Sequence, residues 1–306
     1  MRKYFIKGFY FCIPFLIIFI FIFFVDPYEF INVSHFINSD DKIDVYKRSD
    51  ESSPRGTMLW KVLHYRRKPV ANVLIGDSQG TNIDEDLIKA ESGKDVFNFC
   101  IPGSSYNTMF ETFWFVNDQC KLENVYMQLG FMNYNAKRPY SLFHFAQDYI
   151  DNPFLYFTTK EILFDSFYNT YYQIDKDSDF IHGSYEYDSF EKLDELSTYR
   201  LKLFFEPYSY PTEYINELKK ITDYCMVNDI NLKFIILPTY KGVQEYLETN
   251  DLISMRDKFR EDIKSLGYVY DFNQPGDITK QRKNFKDYFH PHNHVLDEVT
   301  RKIWSQ

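Results

Sequence analysis

The chain has 306 residues, 44% of them hydrophobic, enough to bury the core of one large domain or two small ones. Aromatic residues reach 20% and the net charge is -9. That balance excludes a nucleic-acid binder, which needs lysine and arginine clustered on a basic face.

At the N-terminus, Arg2, Lys3 and Lys7 precede an uncharged run from Gly8 to Val25. Eighteen residues at about 1.5 Å each reach roughly 27 Å, close to the hydrocarbon thickness of a bilayer. The positive flank predicts a cytoplasmic tail over 1–7, a single membrane anchor over 8–25, and the rest of the chain periplasmic or extracellular. A cleaved signal peptide is the rival reading. Against it, the run ends in Phe23, Phe24, Val25, Asp26 and Pro27, with no small-x-small cleavage site. Pro14 is compatible with a spanning helix.

Residues 26–57 are polar and mixed and read as a linker; the folded domain is expected over 58–306. Met58, Leu59, Val62 and Leu63 have helical spacing. The basic end of that helix, Tyr65 to Lys68, suits either solvent or anionic head groups. An alternation follows. Apolar runs at "NVLIGDS", "VFNFCI", "NVYMQLG", "NLKFIILP" and "YVYDF" predict five strands. Helices are predicted between them, the first with Asp84, Glu85 and Asp86 at its N-terminus, where the helix dipole favours negative charge. Another ends at Gly267, and "VLDEVTRKIW" closes the chain. Strands alternating with helices predict an α/β fold, a parallel sheet covered on both faces with right-handed crossovers. Chemistry in such sheets sits at the carboxyl ends of the strands.

Residues 131–211 interrupt the rhythm and are crowded with tyrosine and phenylalanine. A structureless loop that long is uncommon, so a largely helical insertion is expected. Its aromatics would form its own core, a platform for sugar rings, or a surface resting on the bilayer. Cys12, Cys100, Cys120 and Cys225 form no Cys-x-x-Cys pair, which argues for free thiols, buried at Cys100 and Cys225.

Ser78 stands where the first strand should end. It is either a helix cap, a role serine performs well, or an exposed nucleophile at the sheet edge. The flanking sequence is not the Gly-x-Ser-x-Gly elbow, so a base must come from elsewhere. After the fifth strand the chain reads Asp287-Tyr-Phe-His290. An aspartate three residues before a histidine can orient one ring nitrogen, leaving the other to take a proton from serine. His290, His292 and His294 also invite a zinc reading, but no cysteine or acidic ligand at convincing spacing accompanies them. No metal or other cofactor is expected.

These blocks resemble the SGNH (GDSL-like) hydrolase superfamily. "IGDSQ" matches its first block, with Ser78 as nucleophile. "NFCIPGSSYN" matches the second, with Gly103 as an oxyanion-hole N–H. Asp287, His290 and Pro291 match the last. The resemblance implies a flavodoxin-like doubly wound sheet and a Ser78–His290–Asp287 triad. It also implies an oxyanion hole formed by the N–H groups of Ser78 and Gly103. The third block departs from the family: Met132 stands where asparagine is usual. Either Asn133 or Asn135 reaches the oxyanion through a shifted loop, or the hole has only two donors. Losing one donor typically costs about 10²–10³ in rate. Asp77, Asn107 and Asn135 are candidate substrate-binding residues. A single span followed by such a domain is similar in layout to the membrane-anchored proteins of cell-envelope polymer acylation. That layout implies an esterase or O-acetyltransferase acting on an acylated polysaccharide or a small acyl ester, with a membrane-bound O-acyltransferase as possible partner. A catalytically degenerate domain serving such a partner as scaffold is the alternative.

Overall fold

A computed structural model describes residues 2–48, 53–178 and 189–305. The chain divides into two compact units: Met1–Arg67 with Leu142–Tyr185, and Lys68–Ser141 with Glu186–Gln306.

The second unit is built on five strands, β1 (Asn72–Gly76), β2 (Phe97–Cys100), β3 (Asn124–Gln128), β4 (Asn231–Ile236) and β5 (Tyr268–Asp271). They lie where the apolar runs predicted them. All pair in parallel, in the order β2-β1-β3-β4-β5. This is the order of flavodoxin-like doubly wound sheets, whose switch point falls between β1 and β3. Every residue of β1 and β3 is buried, as central strands covered on both faces must be.

One face carries Leu74, Tyr126 and Ile235. Against them pack Ile88 of the Glu85–Ser92 helix and Leu296, Val299, Ile303 and Trp304 of the Asn293–Trp304 helix. These two helices also pack on each other. The last helix therefore crosses back from the β5 edge to the flank of β1, and the segment before it returns to the end of β1. The Tyr106–Gln119, Thr212–Val227 and Ile253–Leu266 helices pack on β1, β4 and β5 and complete the layered arrangement. Asp84 caps the Glu85–Ser92 helix by accepting the N–H groups of Asp86 and Leu87, and Gly93 ends it at φ +71°. None of the four cysteines is in a disulfide, and Cys100 and Cys225 are buried.

The first unit begins with the Arg2–Val25 helix. Its segment Ile6–Val25, 20 residues, is long and apolar enough to cross a membrane, a test that a signal sequence passes equally. The last turns of this helix are built into the unit: Ile22 and Val25 are buried. Phe19 stacks on Phe157 at 4.2 Å between ring centres, and Phe21 meets Phe167 at 4.9 Å. Asp26, just past the helix, is buried. Its carboxylate accepts the N–H groups of Phe30, Ile31 and Asn32 and the hydroxyl of Tyr156.

Residues 26–57, expected as a linker, carry the Ser39–Tyr46 helix and the start of the Ser53–Arg67 helix. They pack with 142–178, the middle of the expected insertion. Val45 packs on Tyr172 and Phe30 stacks on Tyr156, and a polar cluster joins them too. Asp165, on the Lys160–Tyr172 helix, accepts from the Tyr28 hydroxyl at 2.8 Å, Arg48 at 2.9 Å and Arg55 at 2.7 Å. Isolated polar residues far apart in the chain leave no periodic signal. The described remainder of the expected insertion, 131–141 and 189–211, belongs to the second unit and includes the Phe190–Phe205 helix.

Candidate active site

The site is built on two loops at the carboxyl edge of the sheet. The first follows β1. Asp77 caps the short 3-10 turn Ser78–Gly80 by accepting the Gln79 N–H at 2.9 Å. The cap of this turn is therefore Asp77 and not Ser78, whose hydroxyl is left for another partner. The turn has no space to spare. A Cβ on Gly80 would stand 2.5 Å from Cys100 Sγ, and one on Gly76 2.5 Å from Gln128 Oε1.

The second loop precedes the final helix. Phe285 and Pro291 form an antiparallel bridge, and the Lys286 N–H donates to the His290 carbonyl at 2.8 Å. At the tip, Asp287 Oδ1 accepts the N–H groups of Phe289 and His290 at 2.8 and 2.9 Å. The loop is tied to the serine turn through amides. Gln79 Nε2 donates to the Phe289 carbonyl at 2.7 Å. Gln128, at the end of β3, accepts the Asp77 N–H at 2.8 Å and donates to Gln79 Oε1 at 3.2 Å.

The result brings Ser78, His290 and Asp287 into one line. His290 Nε2 stands 2.8 Å from Ser78 Oγ. His290 Nδ1 stands 2.9 and 2.8 Å from the two carboxylate oxygens of Asp287. With the proton on Nδ1 donated to Asp287, Nε2 is left to accept the serine O–H. Burial pushes the Asp287 carboxyl up. The hydrogen bond and charge of His290 and the two backbone N–H groups outweigh it, so the carboxyl is lowered from 3.8 to about 2. Arg200 approaches the same carboxylate at 3.1 Å.

Gly103 lies in the loop after β2. Ile101-Pro102-Gly103-Ser104 closes with the Ser104 N–H on the Ile101 carbonyl, and Gly103 adopts φ +69°. Proline followed by a left-handed glycine is the signature of a type II turn. The Tyr140 hydroxyl donates to the Gly103 carbonyl at 2.7 Å. The N–H groups of Ser78 and Gly103 have no hydrogen-bond partner among the described residues.

Other expected site residues are placed differently. Asn133 is buried, and its amide donates to Asp77 Oδ2 at 2.7 Å. Asp77, expected to bind substrate, is fully buried; burial raises its pKa against the hydrogen bonds it accepts. Asn135, also expected at the substrate, is buried and donates to the carbonyls of Phe204 and Pro207. Asn107 is half-buried and donates to the Pro139 carbonyl at 2.8 Å. Met132 is buried in the Phe131–Asn133 turn. For Asn133 the reason is an internal carboxylate: with Asp77 inside, a neighbouring amide must satisfy it. His292 and His294 stack on each other, and His294 contacts Asn284. Among the described residues no three His, Cys, Asp or Glu side chains gather as metal ligands do.

Sequence reasoning missed Gln79, Gln128, Asn98 and Arg200. Gln128 and Asn98 left a signal, as polar residues inside buried apolar strands. Asn98 donates to the carbonyls of Gly80 and Ile83 and so fixes the serine turn from β2. Arg200 lies on an aromatic-rich helix with nothing local to link it to Asp287.

No family model matches the chain, and no curated protein does. Among solved structures, a Streptococcus pneumonia protein provisionally described as a platelet activating factor is similar at 12% identity, with a TM-score of 0.43. The match covers 83% of this chain and 94% of that one.

Proposed function

We propose that the chain is a serine acyl-ester enzyme of SGNH type. The observation that supports this reading is the alignment of Ser78 Oγ, His290 and Asp287 at 2.8–2.9 Å on the sheet edge. Ser78 Oγ attacks the carbonyl carbon of an ester while its proton passes to His290 Nε2. The N–H groups of Ser78 and Gly103 receive the oxyanion. As the tetrahedral centre collapses, the C–O bond to the leaving alcohol breaks and His290 returns the proton to that oxygen. Water or a sugar hydroxyl then attacks acyl-Ser78 by the same route in reverse, which makes the protein an esterase or an O-acyltransferase. Asp287 stays ionised throughout and holds the ring.

In this reading Ile6–Val25 anchors the protein, its N-terminus lies inside, and the Ser78 unit works outside the cytoplasmic membrane on an acylated polysaccharide. A membrane-bound O-acyltransferase would supply the acyl group. A second reading rests on Met132, which stands where a side-chain oxyanion donor is usual: a domain that assists such a partner without turnover. A fluorophosphonate probe separates the two. The enzyme reading expects wild type to label and Ser78→Ala not to label. Wild type that stays unlabelled at high probe concentration defeats it.

A further inference from the structure

The Lys160–Tyr172 helix buries polar residues beside Ile162 and Tyr172. Its buried positions include Asp165, Ser166 and Asn169, with Asp165 only 1% exposed. Beyond Lys160 its outward positions are aromatic: Phe164 is 56% exposed, Phe167 54% and Tyr171 44%. A helix in water turns its apolar stripe to the core and its charges outward. Here a buried carboxylate, held by Arg48, Arg55 and Tyr28, faces inward, while large rings face out. Phe164, Phe167, Tyr168 and Tyr171 together line a shallow, strongly apolar groove. Exposed rings scattered singly need no explanation, but a contiguous patch does.

The patch also has a neighbour. Phe167 touches Phe21, and Phe157 of the preceding short helix stacks on Phe19. Both partners lie in the last turns of the Ile6–Val25 segment, whose flanking rings Phe15 and Phe24 are themselves exposed. The aromatic face is thus continuous with the apolar surface of that segment. Aromatic rings at the end of a span sit at the boundary between head groups and acyl chains.

We propose that the outward face of Lys160–Tyr172, with Phe154 beside it, lies in the interfacial layer of the bilayer that Ile6–Val25 spans. It is a second, non-spanning membrane contact that seats the first unit flat on the lipid. An apolar helix face typically sinks roughly 5–10 Å into that layer. The inference rests on Ile6–Val25 being a retained span, and it is independent of the reaction proposed for Ser78.

The test uses the full chain in phosphatidylcholine vesicles brominated near the head-group end of the acyl chains. Phe164→Trp and Phe167→Trp report from the patch, with the emission of Trp60, Trp114 and Trp304 in the parent subtracted. Tyr199→Trp, an exposed position of the second unit, is the control. The expected result is that the bromolipid removes most of the added emission of the two patch tryptophans and little of the control's, while aqueous iodide does the opposite. Patch tryptophans quenched by iodide and not by lipid overturn the proposal, and leave a partner protein as the occupant. Protection from both quenchers also overturns it, in favour of a second copy of the chain. Failure of the chain to stay with vesicles through an alkaline wash defeats the span itself and the proposal with it.

Discussion

Asp287 is held by more donors than a triad needs: the His290 ring, two backbone N–H groups and Arg200. With its carboxyl lowered from 3.8 to about 2, the folded state binds this proton more weakly than the unfolded chain does. Its contribution to stability is therefore full above about pH 4 and is lost as the pH falls through about 2. Asp287→Asn should flatten that acid slope in urea titrations. It should also cut the rate of ester cleavage by about 10³–10⁴, because the wrong histidine tautomer is then favoured. Gln79 carries a different burden. Gln79→Met would strand the Phe289 carbonyl and the Gln128 amide, at a cost of about 1–3 kcal/mol. Probe labelling of Ser78 should slow with the nucleophile and base chemically intact; unchanged labelling would show that the amide tie does not place the ring. Ser78, Asp287 and His290 were legible in the sequence because residue type, order and strand-end position agreed. Gln79 and Arg200 were not, because a lone glutamine or arginine carries no spacing.

The serine turn owes its position to the strand beside it. Gly76 and Gly80 leave room for Cys100 and Gln128, and a methyl group at Gly80 would meet Cys100 Sγ at 2.5 Å. Gly80→Ala should cost about 1–3 kcal/mol by overpacking. Removing the sulfur should return part of that loss, so Gly80→Ala and Cys100→Ala should couple favourably in a double-mutant cycle read by urea midpoints. Strict additivity would mean that the sulfur is not the obstacle. The strands were readable for the opposite reason: long apolar runs between helices need no partner to announce themselves. The helices of 26–57 were not, since Asp26, Tyr28, Arg48 and Arg55 find their partners more than a hundred residues away at Tyr156 and Asp165.

At the scale of the molecule, the chain visits its first unit twice, and Asp165 ties the two visits together. Asp165→Ala would leave Arg48 and Arg55 beside an empty anion site, a loss of about 3–5 kcal/mol for a buried pair broken on one side. Deuterium uptake should rise across 26–48, 53–67 and 142–178, while β1, β3 and β4 keep their protection. An equal rise in the strands would mean that the two units unfold as one. The buried Asp26 has a consequence for what removing the N-terminal helix would do. Its carboxylate gathers the three N–H groups that follow the apolar helix, and Ile22 and Val25 in that helix are buried. A protease cutting after Val25 would not shed a finished soluble body. It would remove two buried residues and place a new ammonium group on the very residue whose carboxylate organises the turn. The N-terminal helix is a foundation stone of its unit, and a chain begun at Asp26 should be prone to aggregate.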